Sequence, residues 1–204
     1  MSLFAAARSS YDRLAHNYDV RWGHYVDSSL DLITEALPLA AGDEILDVAC
    51  GTGRLEERIV GRLPNTRVVG VDISENMLHV ARSKRMPADY LAAEVSSLPF
   101  ADGRFGTVVC SSAFHYFRRP TESLAEMRRV LRPGGYLVLV DWCDDYLACK
   151  ICSVWLRWTD PAFFRTYSLR ACTDLLRSAG FRVGASFRRR VDWLWGLMCC
   201  VGRA

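Results

Sequence analysis

Lysine is nearly missing from this chain: of 26 basic side chains only Lys84 and Lys150 are lysines, and the rest are arginines. There is also no uninterrupted apolar run of about 18 residues, which excludes a membrane-spanning helix. The opening MSLFAAARSSYDRL has no apolar core behind a basic start. No signal peptide is therefore expected, and the protein is placed in the cytoplasm. Cysteine is too sparse for a disulfide scaffold, at 8 in 204 residues. Cys110, Cys199 and Cys200 lie inside apolar runs, where a reduced thiol acts as a small hydrophobe. Cys149 and Cys152 form a single CKIC without a second pair, so neither a metal nor a metalloid site is expected, and on a helix the two share a face.

Acidic residues are scarce at the end of the chain. Residues 150–204 carry 10 basic and 3 acidic side chains, whereas residues 1–149 carry 16 and 20. The late arginines are interleaved with apolar residues, as in FRVGASFRRRVDWLW, rather than massed in a solvated arm. Nucleic acid is accordingly not expected as a partner. The length suits one domain spanning residues 1–204. Nothing in the sequence reports an oligomeric state.

Short β-rich runs alternate with helical ones. Helices are expected at Ala5–Tyr18 and Val26–Leu37, the second ended by Pro38. Further helices are expected at Gly53–Leu63, at Ser74–Lys84 behind an N-capping Ser74, at Thr121–Leu131 and at Ser168–Ala179 before Gly180. Strands are expected at Glu44–Ala49, Thr66–Val71, Tyr90–Glu94, Arg104–Cys110 and Tyr136–Val140, with Arg132–Gly135 as a hard turn. Two last β runs, Phe181–Val191 and Trp195–Val201, are close enough to form a hairpin. This pattern specifies an α/β, Rossmann-like, doubly wound sheet, mostly parallel, with helices on both faces and an antiparallel C-terminal edge hairpin.

The stretch EILDVACGTGRLEE carries the functional signal. A buried strand ends at Asp47 and runs into Gly51 and Gly53, which let backbone approach a ligand at the carboxyl end of a parallel strand. The next strand ends in Asp72, 21 residues after Gly51, where a carboxylate can hold the two hydroxyls of a ribose. The third glycine of a dinucleotide fingerprint is absent; Glu56 stands in its place. A carboxylate at 47 would repel a pyrophosphate and attract an ammonium or sulfonium. A ribose with a cationic amino-acid portion describes S-adenosylmethionine. A nicotinamide-dependent oxidoreductase and a non-catalytic S-adenosylmethionine-binding protein remain the alternatives.

EILDVACGTG, VVGVDISENML, AEVSSLPFADGRFGTVVCSSAFHYF, LAEMRRVLRPGGYLVLVD and LLRSAGFRV, in this order, resemble the motifs of class I S-adenosylmethionine-dependent methyltransferases, in the group that includes quinone-biosynthesis enzymes. The resemblance implies a seven-stranded sheet whose last strand is antiparallel. It also implies that Asp47, Ala49, Cys50, Gly51 and Gly53 cradle the methionine part and that Asp72 holds the ribose. Ile73 and Met77 would pack on the adenine, Glu94 and Val95 would flank its amine, and Ser111 would lie nearby. Tyr18 would belong to an N-terminal helical lid, residues 1–40. The insertion at residues 141–167 would face the methyl acceptor, a small and partly hydrophobic organic molecule. Gly106 and Glu94 both stand where the family usually has Asp. Tyr11, Trp22, Tyr116 and Trp142 are candidates for the acceptor pocket, although aromatic residues at such spacing also serve as core. His115 is a candidate general base or acceptor-positioning group.

Overall fold

The computed structural model describes residues 11–36, 43–60, 62, 65–160, 162–192 and 195–204. The expected helix start at Ala5, the stop at Pro38, the helix end at Leu63 and parts of segments 1–40 and 141–167 lie outside those residues. The first half runs α1 (Tyr18–Ala36), β1 (Glu44–Val48), α2 (Arg54–Val60), β2 (Arg67–Asp72), α3 (Glu75–Ser83), β3 (Ala88–Ala92) and β4 (Phe105–Ser111). The second half runs α4 (Pro120–Val130), β5 (Leu131–Trp142), α5 (Leu147–Thr159), α6 (Leu169–Ser178), β6 (Arg182–Arg190) and β7 (Gly196–Arg203).

These strands form one seven-stranded sheet in the order β3-β2-β1-β4-β5-β7-β6. All neighbours are parallel except β7, which inserts between β5 and β6 and runs antiparallel to both. The expected α/β sheet and its terminal hairpin are both present. Alternation along the strands feeds two cores. Leu46, Val108, Leu137 and Cys200 pack beneath α4 and α6, while Ile45, Val109, Val138 and Cys199 pack beneath α1 and α2. The central strands read as continuous apolar runs because both faces are covered.

Two local expectations need correction. Two separate N-terminal helices were expected, but residues 11–14 are helical, Ala15–Asn17 form a 3₁₀ turn, and α1 continues for 19 residues. The stretch VRWGHY has weak helix propensity, and Gly23 costs about 1 kcal/mol relative to alanine. Burial of Tyr25, Ser29, Leu30, Leu32 and Ile33 overrides that weakness. Arg132–Gly135 is not a turn outside the sheet. Leu131 already pairs with Phe105 and Tyr136 with Thr107, so two steps along β4 face five along β5, and the turn is absorbed as a bulge. At Gly106, the departure from the family pattern has a physical counterpart. A side chain there would meet the carboxylate of Asp43 at about 3 Å, and Asp43 is paired with Arg132 at 2.7 Å. Asp43, just before β1, thus occupies the space that a side chain at position 106 would need.

The helix ends behave as expected. Ser74 Oγ accepts from Met77 N at 3.2 Å, and Ser168 Oγ accepts from Ala171 N at 3.1 Å. Gly180 follows the C-cap of α6 with φ +87°.

The bulge places Gly135 where a Cβ would lie 2.9 Å from Gly106 O and 3.0 Å from Arg132 O, both backbone atoms that have little room to move. Gly135→Ala should therefore lower the free energy of urea unfolding by about 1–3 kcal/mol. Gly184→Ala, on the edge strand with its nearest atom at 3.7 Å, should leave it unchanged or raise it by a few tenths.

Candidate active site

The strand order reverses between β1 and β4, and a crevice opens there at the carboxyl ends of the strands, the usual ligand position in such sheets. Its empty space, including the open mouth, is about 940 Å³. Among the expected site residues, Tyr11, Tyr18, Ala49, Gly51, Asp72, Ile73, Met77, Glu94, Val95, Ser111 and Tyr116 line it. Asp47, Cys50 and Gly53 lie behind the lining. Trp22 and Trp142 belong to a separate aromatic cluster with Tyr25 and Trp195, in which the Trp142 and Trp195 rings are 4.4 Å apart. Sequence reasoning missed Ser112, Phe117, Arg118, Arg119 and Ser123, which also line the crevice. Except for Ser123, they sit on the irregular segment after β4, where no periodicity marks a facing direction.

Asp72 organises the floor. Its Oδ2 accepts from Gly51 N at 2.9 Å and its Oδ1 from Ser74 N at 2.8 Å, so one carboxylate joins the glycine turn to the start of α3. Burial raises its pKa, and the hydrogen bonds from the Ser74 and Gly51 amides pull it back down. The turn itself is tight: Ala49, Gly51 and Gly53 all have positive φ, at 60°, 55° and 78°. For an alanine that conformation costs on the order of 1 kcal/mol. Gly53 N donates to Cys50 O at 3.1 Å. With Gly51 N on Asp72, two amides that would greet a phosphate are already engaged.

Acidic groups crowd beneath this turn. Asp47 and Glu56 are buried, and Asp47 Oδ1 and both Glu56 carboxylate oxygens have no hydrogen-bond partner among the described residues. Burial, then Glu56, then Asp72 push the Asp47 carboxyl well above its ordinary range. Burial pushes Glu56 up to about 7, with Lys84 acting in the opposite direction. Unpartnered carboxyl groups below a crevice favour a cationic occupant and oppose a phosphate.

The N-terminal segment closes the crevice from above. Asp12 Oδ1 accepts from Ser74 Oγ at 2.5 Å, and Asp19 accepts from Thr52 Oγ1 at 2.6 Å and from Lys84 Nζ at 3.0 Å. These ties bring three tyrosines together: the Tyr11 ring lies 5.4 Å from Tyr116 and 6.2 Å from Tyr18. Burial raises all three phenols, which stay neutral at neutral pH. On the opposite wall Glu94 accepts from Ser96 Oγ and from Arg119 Nη2, the latter at 2.8 Å.

His115 does not line the crevice. It is buried with Nδ1 2.7 Å from Asp141 Oδ1, while its backbone N donates to Asp141 Oδ2 at 2.8 Å. Its ring lies between Trp142, at 5.2 Å, and Tyr116, at 4.2 Å. The pair anchors the segment after β4 to the end of β5, and so sets the position of Tyr116.

A family model described as a methyltransferase domain matches residues 46–139, from within β1 into β5. The chain is 34% identical over 143 residues to a demethylmenaquinone methyltransferase of Renibacterium salmoninarum, covering 65% of this chain and 56% of that one. It is 36% identical over 151 residues to an O-methyltransferase of Penicillium expansum, covering 71% and 54%. The chain thus spans little more than half the length of these relatives. A SAM-dependent methyltransferase from Aquifex aeolicus shares the fold, with TM-score 0.74 at 20% identity over 96% of this chain and 97% of that one. The matched segment takes in the glycine turn and Asp72, and with the seven-stranded topology it makes the chain similar to class I S-adenosylmethionine-dependent methyltransferases. S-adenosylmethionine is the cofactor that the methyltransferase domain and the fold neighbours imply.

The raised pKa of Glu56 has a stability consequence. Between its unfolded value near 4.5 and its folded value near 7 the native state holds the extra proton, so stability is full below the first and is lost as pH rises through the second. Glu56→Gln should stabilise the protein at pH 8, by at most about 3 kcal/mol, and have a vanishing effect below about pH 4.5. Thermal melts of the two proteins across that range check this.

Proposed function

We propose that the protein transfers the methyl group of S-adenosylmethionine to a small, partly apolar acceptor. The observation that carries this reading is the Asp72 carboxylate, fixed by two amides at the floor of a crevice whose turn stands over buried acids. The reading assigns the ribose hydroxyls to Asp72, the methionine portion to Ala49 and Gly51, and the adenine to Ile73, Met77 and Val95, with Glu94 at its edge. Asp47 would act from behind the turn without contact, its carboxyl, which burial holds towards the neutral form, ionising more readily as the cation binds. Ser111 would stand beside the cofactor at the end of β4. When bound, the cofactor supplies an electrophilic methyl carbon.

The chain's own work is then alignment and exclusion of water. Tyr11, Tyr18 and Tyr116 present aromatic surface where a sulfonium would lie, which favours the cation without competing as nucleophiles. No protein nucleophile is required for a direct displacement. A proton must leave only if the acceptor attacks through a protonated oxygen or nitrogen. The names of the relatives span a quinone and an O-methylation, so they leave the acceptor atom open.

Asp72→Ala should weaken S-adenosylmethionine binding on the order of 100-fold, since it removes two charge-assisted hydrogen bonds. A turnover assay over quinol, phenol and amine acceptors, read by release of the demethylated cofactor, tests the activity. Release that needs an acceptor and fails in Asp72→Ala supports it, and tight binding without release for any acceptor counts against it.

His115 acts in this reading as a positioning residue, because it does not line the crevice and stands behind Tyr116. His115→Asn should raise the KM for the acceptor severalfold and leave the shape of the pH–rate profile unchanged. A fall in kcat of about 10²–10⁴ with loss of a titration would instead make His115 the base.

A further inference from the structure

Helix α5 carries a surface that the crevice does not use. Among the described residues, seven large hydrophobic side chains are exposed, and five belong to this helix: Leu147 (74%), Ile151 (61%), Val154 (54%), Trp155 (63%) and Trp158 (87%). They follow one another at steps of four, three, one and three residues, which on a helix makes a single stripe about 100° wide. The opposite side of the helix, with Cys149 and Ser153, is the buried one. The stripe is therefore an outward face of a well-seated helix.

The charge carried by the helix itself has one sign. The helix LACKICSVWLRWT holds no acid, and its two cations, Lys150 and Arg157, flank the stripe on the same side. Neither forms an ion pair among the described residues. Arg190 stands at the N-terminal end of the helix, beside Leu147 and Ile151, with its guanidinium over the Tyr146 ring at 5.5 Å. The nearby acids face other partners. Asp145 is tied to Arg188 and to the N-terminus of α6, and Asp144 to Thr166. Asp160 is tied to Tyr116 and to Ala162 N, and Asp192 to Trp195 N.

We propose that α5 is a docking surface for an anionic lipid bilayer, lying in the plane of the interface with its apolar stripe inserted among the acyl chains. An outward-facing apolar stripe ending in two tryptophans and edged by cations has the form of an interfacial helix, and at 13 residues it is too short to cross a bilayer. The location gives the docking a use. Asp160, at the C-cap of α5, accepts from the Tyr116 hydroxyl at 3.3 Å, and Phe163 packs on both Tyr116 and His115. Docking through α5 therefore brings the Tyr116 wall of the crevice to the membrane surface. An acceptor dissolved in the lipid would then reach the crevice without crossing water.

Co-sedimentation with vesicles tests this. Wild-type protein should bind vesicles of phosphatidylcholine with about 30% phosphatidylglycerol, more weakly at raised ionic strength, and bind pure phosphatidylcholine poorly. Trp155→Ser/Trp158→Ser should cut partitioning by about tenfold or more, since binding scales with buried apolar area. Lys150→Ala/Arg157→Ala should remove most of the preference for the anionic vesicles. All four positions are exposed, and S-adenosylmethionine affinity measured in parallel should match wild type in both variants. That control separates a failed membrane surface from a failed cofactor reading. Absence of vesicle binding would overturn the proposal, as would equal binding by the tryptophan variant. A concentration-dependent dimer that dissolves in the tryptophan variant would overturn it too, by showing that a second copy of this chain covers the stripe.

Discussion

The clamp of Asp72 on the Gly51 and Ser74 amides is the interaction on which the rest of the site depends. It fixes the end of β2 against the turn after β1 and starts α3 in the same stroke. Without it the turn after β1 would be held to β2 only by the end of the sheet ladder and the Cys50 N–Val71 O bond at 3.0 Å. The tight turn through Ala49 has the same dependence. An alanine held at positive φ persists only where its surroundings overdetermine it, and the Asp72–Gly51 bond is part of that surrounding.

A second constraint is the sign of the buried charge. The chain is basic overall, yet the groups beneath the glycine turn are acids whose pKa burial raises. This combination separates the crevice from the dinucleotide sites built on comparable sheets. There the turn offers free amides to a pyrophosphate; here amides of the turn are engaged internally and carboxyl groups stand behind them. The outer surface shows the opposite arrangement, with cations edging an apolar helix face. Acid within and base without suit a protein that holds a cationic cofactor while meeting anionic surroundings.

Much of this was legible in the sequence because it rested on local rules. Glycine spacing, an acid at the end of each of two strands and caps at Ser74 and Ser168 specify the sheet, its switch point and the floor of the crevice. The errors came where tertiary contacts outweigh local preference. Burial of one face of α1 carried the helix through VRWGHY, and pairing of Leu131 with Phe105 drew the RPGG turn into the sheet. Apart from Tyr116, the wall formed by residues 112–119 was missed because an irregular segment has no period from which to read its facing direction. His115 and Trp142 illustrate the same limit. Their residue types suggested the acceptor pocket, but the hydrogen bonds to Asp141 and the stacking with one another hold them behind it. Asp43 standing in for a side chain at Gly106 is a contact between distant segments, which no single-sequence pattern reveals.

The most direct test of the central claim, that this crevice selects a cationic nucleoside over a dinucleotide, is a calorimetric titration of the wild-type protein with S-adenosylmethionine, its demethylated product and NAD. The account predicts micromolar binding of the first two in one-to-one stoichiometry and no heat from NAD. Binding of NAD, or silence toward both S-adenosylmethionine and its product, would contradict it.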